Sequence, residues 1–144
     1  MFPDRMDSLL DPAPSAEEDH SGQMDEIEEM ETATADEAVV RGAFRAYRDQ
    51  DVWAAESLYA AQFVFTSPQD DHIDRSAFLE RCFPTADRFV DHTMLHVVDL
   101  GDHQVFVMYE YELPGGERYR NTEVITVHDA QLIETQVFFG GQVR

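Results

Sequence analysis

From Thr34 onward the chain passes from a helical to a strand-like hydrophobic period, and that order predicts an α+β domain. Val40, Ala43, Phe44 and Tyr47 recur at the i, i+3, i+4, i+7 spacing of one helical face. Thr34 and Glu37, three residues apart, form a capping-box pattern in front of them. Asp49, Gln50 and Asp51 interrupt this helix, and Asp51 can cap a second one carrying Trp53, Leu58 and Tyr59. A β-rich run, Gln62 to Thr66, follows. Asp74 then heads a third short helix, Arg75 to Cys82, which Pro84 ends. Beyond about Phe89 the pattern is strand-like in four segments, roughly Val90 to Leu100, Gln104 to Leu113, Arg118 to Val127 and Gln131 to Phe139. Gly101-Asp102, Pro114-Gly115-Gly116 and Asp129-Ala130 separate them as hairpin turns, so an antiparallel sheet is expected. The predicted architecture is a conical α+β barrel, three N-terminal helices on a strongly curved antiparallel sheet.

Pairing Leu113 with Arg118 and His128 with Gln131 gives every strand side chain a face. One face then collects Val107, Tyr109, Tyr111, Arg120, Thr122 and Val124, together with Ile133, Thr135, Val137 and Phe139, which suits the lining of a ligand pocket beneath helices. The other collects Phe106, Met108, Glu110, Glu112, Asn121, Glu123, Glu134, Gln136 and Phe138, which suits an outer face covered by a second subunit. A one-residue bulge in the Arg118 to Val127 segment would exchange Asn121 and Glu123 into the pocket.

Charge divides the chain. Residues 1 to 34 hold eleven acidic side chains against one basic, with three of the six prolines, and are expected to form a disordered acidic tail. Residues 35 to 144, the expected domain, carry nineteen acidic against nine basic groups. A net charge of −20 repels phosphate backbones and anionic lipid headgroups, so neither nucleic acid nor membrane is expected as a partner. Every basic residue among Lys and Arg is Arg, a bias of the host rather than of a site. Cys82 is the only cysteine, which excludes an intramolecular disulfide and a Cys-based zinc cluster and fits a reducing cytoplasm. There is no basic region followed by a long apolar run, so no secretory signal or membrane span is expected. Without a Gly-rich phosphate loop, no cofactor is expected.

The run Phe63 to Phe83, with Arg120-Asn121-Thr122-Glu123-Val124 and Gln136-Val137-Phe138-Phe139-Gly140, resembles the SnoaL-like branch of the nuclear transport factor 2-like superfamily over about residues 35 to 141. The resemblance implies a cone-shaped fold, often dimeric, shared by ketosteroid isomerases, polyketide cyclases, dehydratases and noncatalytic members. In the ketosteroid isomerases the general base is an aspartate before the proline that ends the first strand; Ser67, before Pro68, stands there. The oxyanion-binding tyrosine falls at Ala43, and the protonated aspartate at Val124 or beside it at Glu123. A conventional steroid isomerase mechanism is therefore not expected.

The remaining chemistry sits in three groups. Asp71 and His72, after the first strand, can form an acid/base pair at the pocket mouth. Glu123, two residues after Asn121, is a strand carboxylate suited to a buried base. Tyr109, Tyr111 and Arg120 can hold an anionic or enolic oxygen, and Phe65, Ser67, Asn121 and Phe139 complete a candidate ligand set. His92 and His96, four apart on a strand, lie on one face but roughly 13 Å apart, too far to share a metal ion. Phe63, Phe65, Phe138, Phe139 and Trp53 read as core. Two functions remain open: a binder of a small apolar or aromatic ligand acting as an isomerase, cyclase or dehydratase, or a noncatalytic dimerisation domain with a vestigial pocket.

Overall fold

The computed structural model describes residues 33–144; the expectation for the acidic tail lies outside the described residues, apart from its last two positions. Helix α1 (Ala35–Asp49) begins where Thr34 Oγ1 accepts from the Glu37 N–H at 3.1 Å. Helix α2 (Val52–Leu58) is capped by Asp51 and helix α3 (Arg75–Arg81) by Asp74, each through its carboxylate to the N–H three residues on. All three caps were legible in the sequence because each side chain satisfies a donor that the helix leaves orphaned. A 3-10 segment, Phe83–Arg88, follows α3.

Among the described residues six strands form one sheet: β1 (Tyr59–Ser67), β2 (Asp70–Asp74), β3 (Asp91–Gly101), β4 (Gln104–Glu112), β5 (Arg118–His128) and β6 (Gln131–Gln142). Their order is β2-β1-β6-β5-β4-β3, and the curved sheet stays open, with β2 and β3 at its edges. Pairing is antiparallel except between β1 and β6, which run parallel. Asp70 to Asp74, where the sequence pattern marks no strand, forms β2, folded back on β1. The helices cover the concave face, where Val40, Phe44, Phe63, Phe65, Phe78, Tyr109 and Ile125 meet in the core.

The register of β5 differs from expectation by one residue. Leu113 N–H bonds to the Glu117 carbonyl at 2.9 Å, and Gly116 takes a left-handed φ of 95°. That closes a three-residue loop instead of a four-residue one, so Glu112 faces Arg118 and Tyr109 faces Asn121. Asn121, Glu123 and Ile125 therefore turn inward and are buried, while Arg120, Thr122 and Val124 turn outward. The next hairpin pairs His128 with Gln131 as expected, and a bulge then leaves Ile133 unpaired, so Thr135 faces Ile125.

Two other expectations fail for local reasons. Trp53 is 85% exposed: the seven-residue α2 buries only Ala55, with Ala54 and Leu58 partly covered, and Trp53 lies off that face. A bulge at Leu95 puts His92 opposite Tyr111 and His96 opposite Met108, so the two histidines lie on different faces of β3. Phe63 and Phe65 are core and Phe139 packs against it, whereas Phe138 is half exposed on the outer face.

Candidate functional site

Helix α1 contributes Ala43, Phe44 and Tyr47 to the concave side, and the end of α2 delivers Tyr59 opposite them. The turn from α2 into β1 is held by Arg75, whose guanidinium donates to the Glu56 carbonyl at 2.8 Å and the Tyr59 carbonyl at 3.1 Å. Rings of Tyr59, Phe63, Phe65 and Phe78 then pack at centroid distances of 4.7 to 5.1 Å. Between these walls lies a cavity of about 30 Å³, measured over the positions a water's centre can take. That is room for about two waters or one small compact group. Phe44, Tyr47, Tyr59, Phe65 and Phe78 wall it, and Glu123 and Thr135 supply its carboxylate and hydroxyl.

Glu123 is 6% exposed, and burial raises its carboxyl to about 7, partly offset by the hydroxyl of Tyr109. Tyr109 Oη donates to Glu123 Oε2 at 2.6 Å. Behind it, Asn121 Nδ2 donates to Tyr109 Oη at 3.5 Å, and the Gly140 N–H donates to Asn121 Oδ1 at 3.4 Å. Burial and the neighbouring Glu123 push the Tyr109 phenol well above its usual range, so Tyr109 is the donor in this pair. Glu123 is therefore a carboxyl poised near neutrality, open to the cavity and oriented by a phenol and an amide.

His92 lies close by, stacked on Tyr109 at 5.0 Å, on Phe44 at 5.8 Å and on Phe89 at 5.8 Å. Both its ring nitrogens are buried without a hydrogen-bond partner among the described residues, and burial, with the Arg48 charge, lowers it to about 3, so it is neutral. Burial also pushes the Cys82 thiol up to about 12, which leaves it protonated and unreactive.

The sequence candidates separate in space. Glu123 and Phe65 line the cavity, Tyr109 and Asn121 stand behind Glu123, and Tyr111 is buried farther along β4 against Phe89 and Tyr119. Phe139 packs at the core's edge, opposite Asn121. Ser67 Oγ accepts from the Gln69 and Asp70 N–H groups at 3.0 and 3.2 Å, organising the β1–β2 turn outside the cavity lining. His72 and Asp71 pair at 2.6 Å on that exposed hairpin, with side chains 67% and 92% exposed, away from the cavity walls. Arg120, expected on the pocket face, binds Glu110 on the outer face because of the one-residue register difference. Ala43, matched by resemblance to an oxyanion-binding tyrosine, lines the cavity without a proton donor. Tyr59 and Phe78 were missed as wall residues: Tyr59 read as the end of a helix, and nothing in the local pattern brings either ring to the cavity. Among the described residues no group of His, Cys, Asp and Glu is placed to hold a metal ion, and no helix is long and apolar enough to cross a membrane.

No protein-family model and no curated protein matches the chain. Solved structures do. A protein from Kribbella flavida is similar at TM-score 0.65 and 22% identity, over 71% of this chain and 84% of that one. A candidate ketosteroid isomerase from the same organism is similar at TM-score 0.63 and 16% identity, over 76% and 81%. A nuclear transport factor 2-like protein of unknown function from Cytophaga hutchinsonii is similar at TM-score 0.56 and 17% identity, over 70% and 86%. The chain shares the fold of these structures, one of them nuclear transport factor 2-like.

Proposed function

We propose that this domain binds a small ligand with an apolar or aromatic body in its cone and that Glu123, oriented by Tyr109, exchanges a proton with it. The observation carrying this reading is a buried carboxyl, raised to about 7, that faces an aromatic-walled cavity. A general acid/base works best when its pKa is near the working pH, and isomerisation, cyclisation and dehydration all need a proton removed from one atom and returned to another. Tyr109 keeps the carboxyl aimed and hydrogen-bonds its ionised form; Asn121 and the Gly140 N–H hold Tyr109. The likeness to a candidate ketosteroid isomerase agrees with proton-transfer chemistry, though Ser67 and Ala43 supply neither base nor phenol. Here the proton carrier is Glu123.

A thermal-shift screen with steroids, polyketides and aromatic acids, followed by solvent deuterium exchange into each binder, tests the reading. Glu123→Gln should slow exchange about 10²-fold or more, while His72→Ala, outside the cavity, should leave it unchanged. Full exchange in Glu123→Gln would remove the proposed role.

A second reading, a noncatalytic dimerisation domain in the cytoplasm, is favoured by one observation. The outer face carries a band in which Met108, Thr122 and the half-exposed Phe138 stand side by side, next to Phe106, Val124 and the exposed Val98. Apolar residues in that arrangement suit a second copy of the chain. Dimerisation by itself is compatible with ligand binding, since the band and the cavity lie on opposite faces of the sheet.

A further inference from the structure

We propose that the group held in the cavity is a small organic cation, the primary ammonium end of an aliphatic amine, seated between the Glu123 carboxylate and the surrounding aromatic rings. The inference rests on the reading of this cavity as a ligand site and adds the charge of the ligand.

The donor inventory comes first. The cavity lining contains one carboxylate, one aliphatic hydroxyl and five aromatic rings, two of them the phenols of Tyr47, which is bonded to Thr85, and Tyr59, and no Arg or His. Glu123 Oε2 is occupied by Tyr109, whereas Oε1 has no hydrogen-bond partner among the described residues. A buried carboxyl is matched by a cation or by several donors or else keeps its proton, and Glu123, protonated to about 7, becomes an unmatched charge above that pH. The arginines of β5 do not match this one. Arg118 is held by Asp91 at 3.0 Å, Glu112 at 3.2 Å and Glu110 at 3.3 Å, and Arg120 by Glu110, all on the opposite face of the sheet. Among the described residues no Arg or His lines the cavity, and the forces on the Glu123 carboxyl are burial and the Tyr109 hydrogen bond, so the proposed cation comes with the ligand.

The walls select in the same direction. Aromatic faces attract cations through their quadrupole, and more strongly when water is excluded. An anionic ligand would meet Glu123 with no cation to offset the repulsion. At long range the chain carries a net charge of −20, which raises the local concentration of cations and lowers that of anions. Size narrows the choice further. A cavity of about 30 Å³, with space for about two waters, accepts the two heavy atoms of a methylene-ammonium terminus. The ammonium presents three N–H donors. Glu123, Thr135 and the Tyr59 phenol bring acceptor oxygens to the lining, and the methylene would lie against the rings.

The experiment compares n-butylammonium chloride, n-butanol and sodium butyrate, three ligands of matched chain length and different charge, with sodium chloride as the ionic-strength control. It is run on the full chain at pH 8, where Glu123 is ionised. Melting temperature and backbone amide shifts of Ile125 and Thr135 are followed over a titration. Butylammonium should raise the melting temperature saturably above the salt control and move those amides, while butanol and butyrate do neither. Glu123→Gln should weaken butylammonium at least about tenfold, and His72→Ala, outside the cavity, should leave binding unchanged. Binding of butanol or butyrate without butylammonium would overturn the cation while leaving a ligand site. Undiminished butylammonium binding to Glu123→Gln would overturn the seat. If none of the three moves the amides, and the wider screen also yields no binder, both the cation and the ligand-site reading fall.

Discussion

At the scale of single residues, Glu123 and His92 set opposite demands on pH. Glu123 keeps its proton to about 7 in the folded chain, whereas an exposed glutamate loses it near 4.5. Folding therefore takes up a proton between those values, and stability falls as pH rises from 4.5 to 7. His92 is lowered from 6.5 to about 3, so the unfolded chain binds the extra proton and stability falls as pH drops from 6.5 toward 3. Between pH 4.5 and 6.5 the two slopes, each approaching about 1.4 kcal/mol per pH unit, oppose one another. Glu123→Gln should accordingly become more stable relative to the native chain as pH rises through that window, and His92→Phe should gain relative to it as pH falls. Urea unfolding at pH 4.5, 5.5 and 6.5 measures both, and parallel curves for native and variant chains would refute the assignments. His92→Phe should also gain about 1 kcal/mol at pH 7, since it replaces two orphaned buried nitrogens with carbon inside an aromatic stack.

At the scale of elements, turns decide where side chains point. The β5–β6 turn places Asp129 and Ala130 at φ 53° and 62°, both left-handed. This is the type I′ geometry suited to the strand twist, and alanine is a poor residue for it. Ala130→Gly should stabilise the chain by about 1 kcal/mol, read as a higher urea midpoint at unchanged slope. Gly140 is the opposite case. A Cβ there would collide with the Arg120 carbonyl oxygen, and its N–H is the anchor of Asn121. Gly140→Ala should cost about 2 kcal/mol and, through Asn121 and Tyr109, loosen Glu123. Its mark is a shifted Glu123 carboxyl titration by nuclear magnetic resonance, which a purely local strain would leave in place.

At the scale of the molecule, acidic charge and the apolar outer band oppose each other. A second copy seated on the band buries Met108 and Phe138 but brings together two chains of net charge −20. Association through this face should tighten as salt screens the repulsion over a Debye length of about 10 Å at 0.1 M. Met108→Lys should yield monomer across the salt range with an unchanged circular dichroism spectrum. Sedimentation equilibrium decides it: a native chain monomeric at micromolar concentration in 0.5 M salt would remove the dimerisation reading.

The sequence by itself determined the helices, their caps and the strands other than β2, because periodicity and capping act over three or four residues. Thr34, Asp51 and Asp74 each bind the N–H three positions on. It also marked Glu123, Tyr109, Asn121 and Phe65 as candidate site residues. Which of those face the cavity was decided only by tertiary structure, because a sheet has period two and one residue in a turn reverses a whole strand. The left-handed Gly116 shortened one loop and moved Glu123 inward and Arg120 outward. The bulge at Leu95 separated His92 from His96 in the same way. The meeting of Tyr59 and Phe78 with Glu123 joins segments far apart in the chain, and no local pattern carries that distance. Burial then did what composition cannot express: it raised an ordinary glutamate to about 7 by withholding water from it.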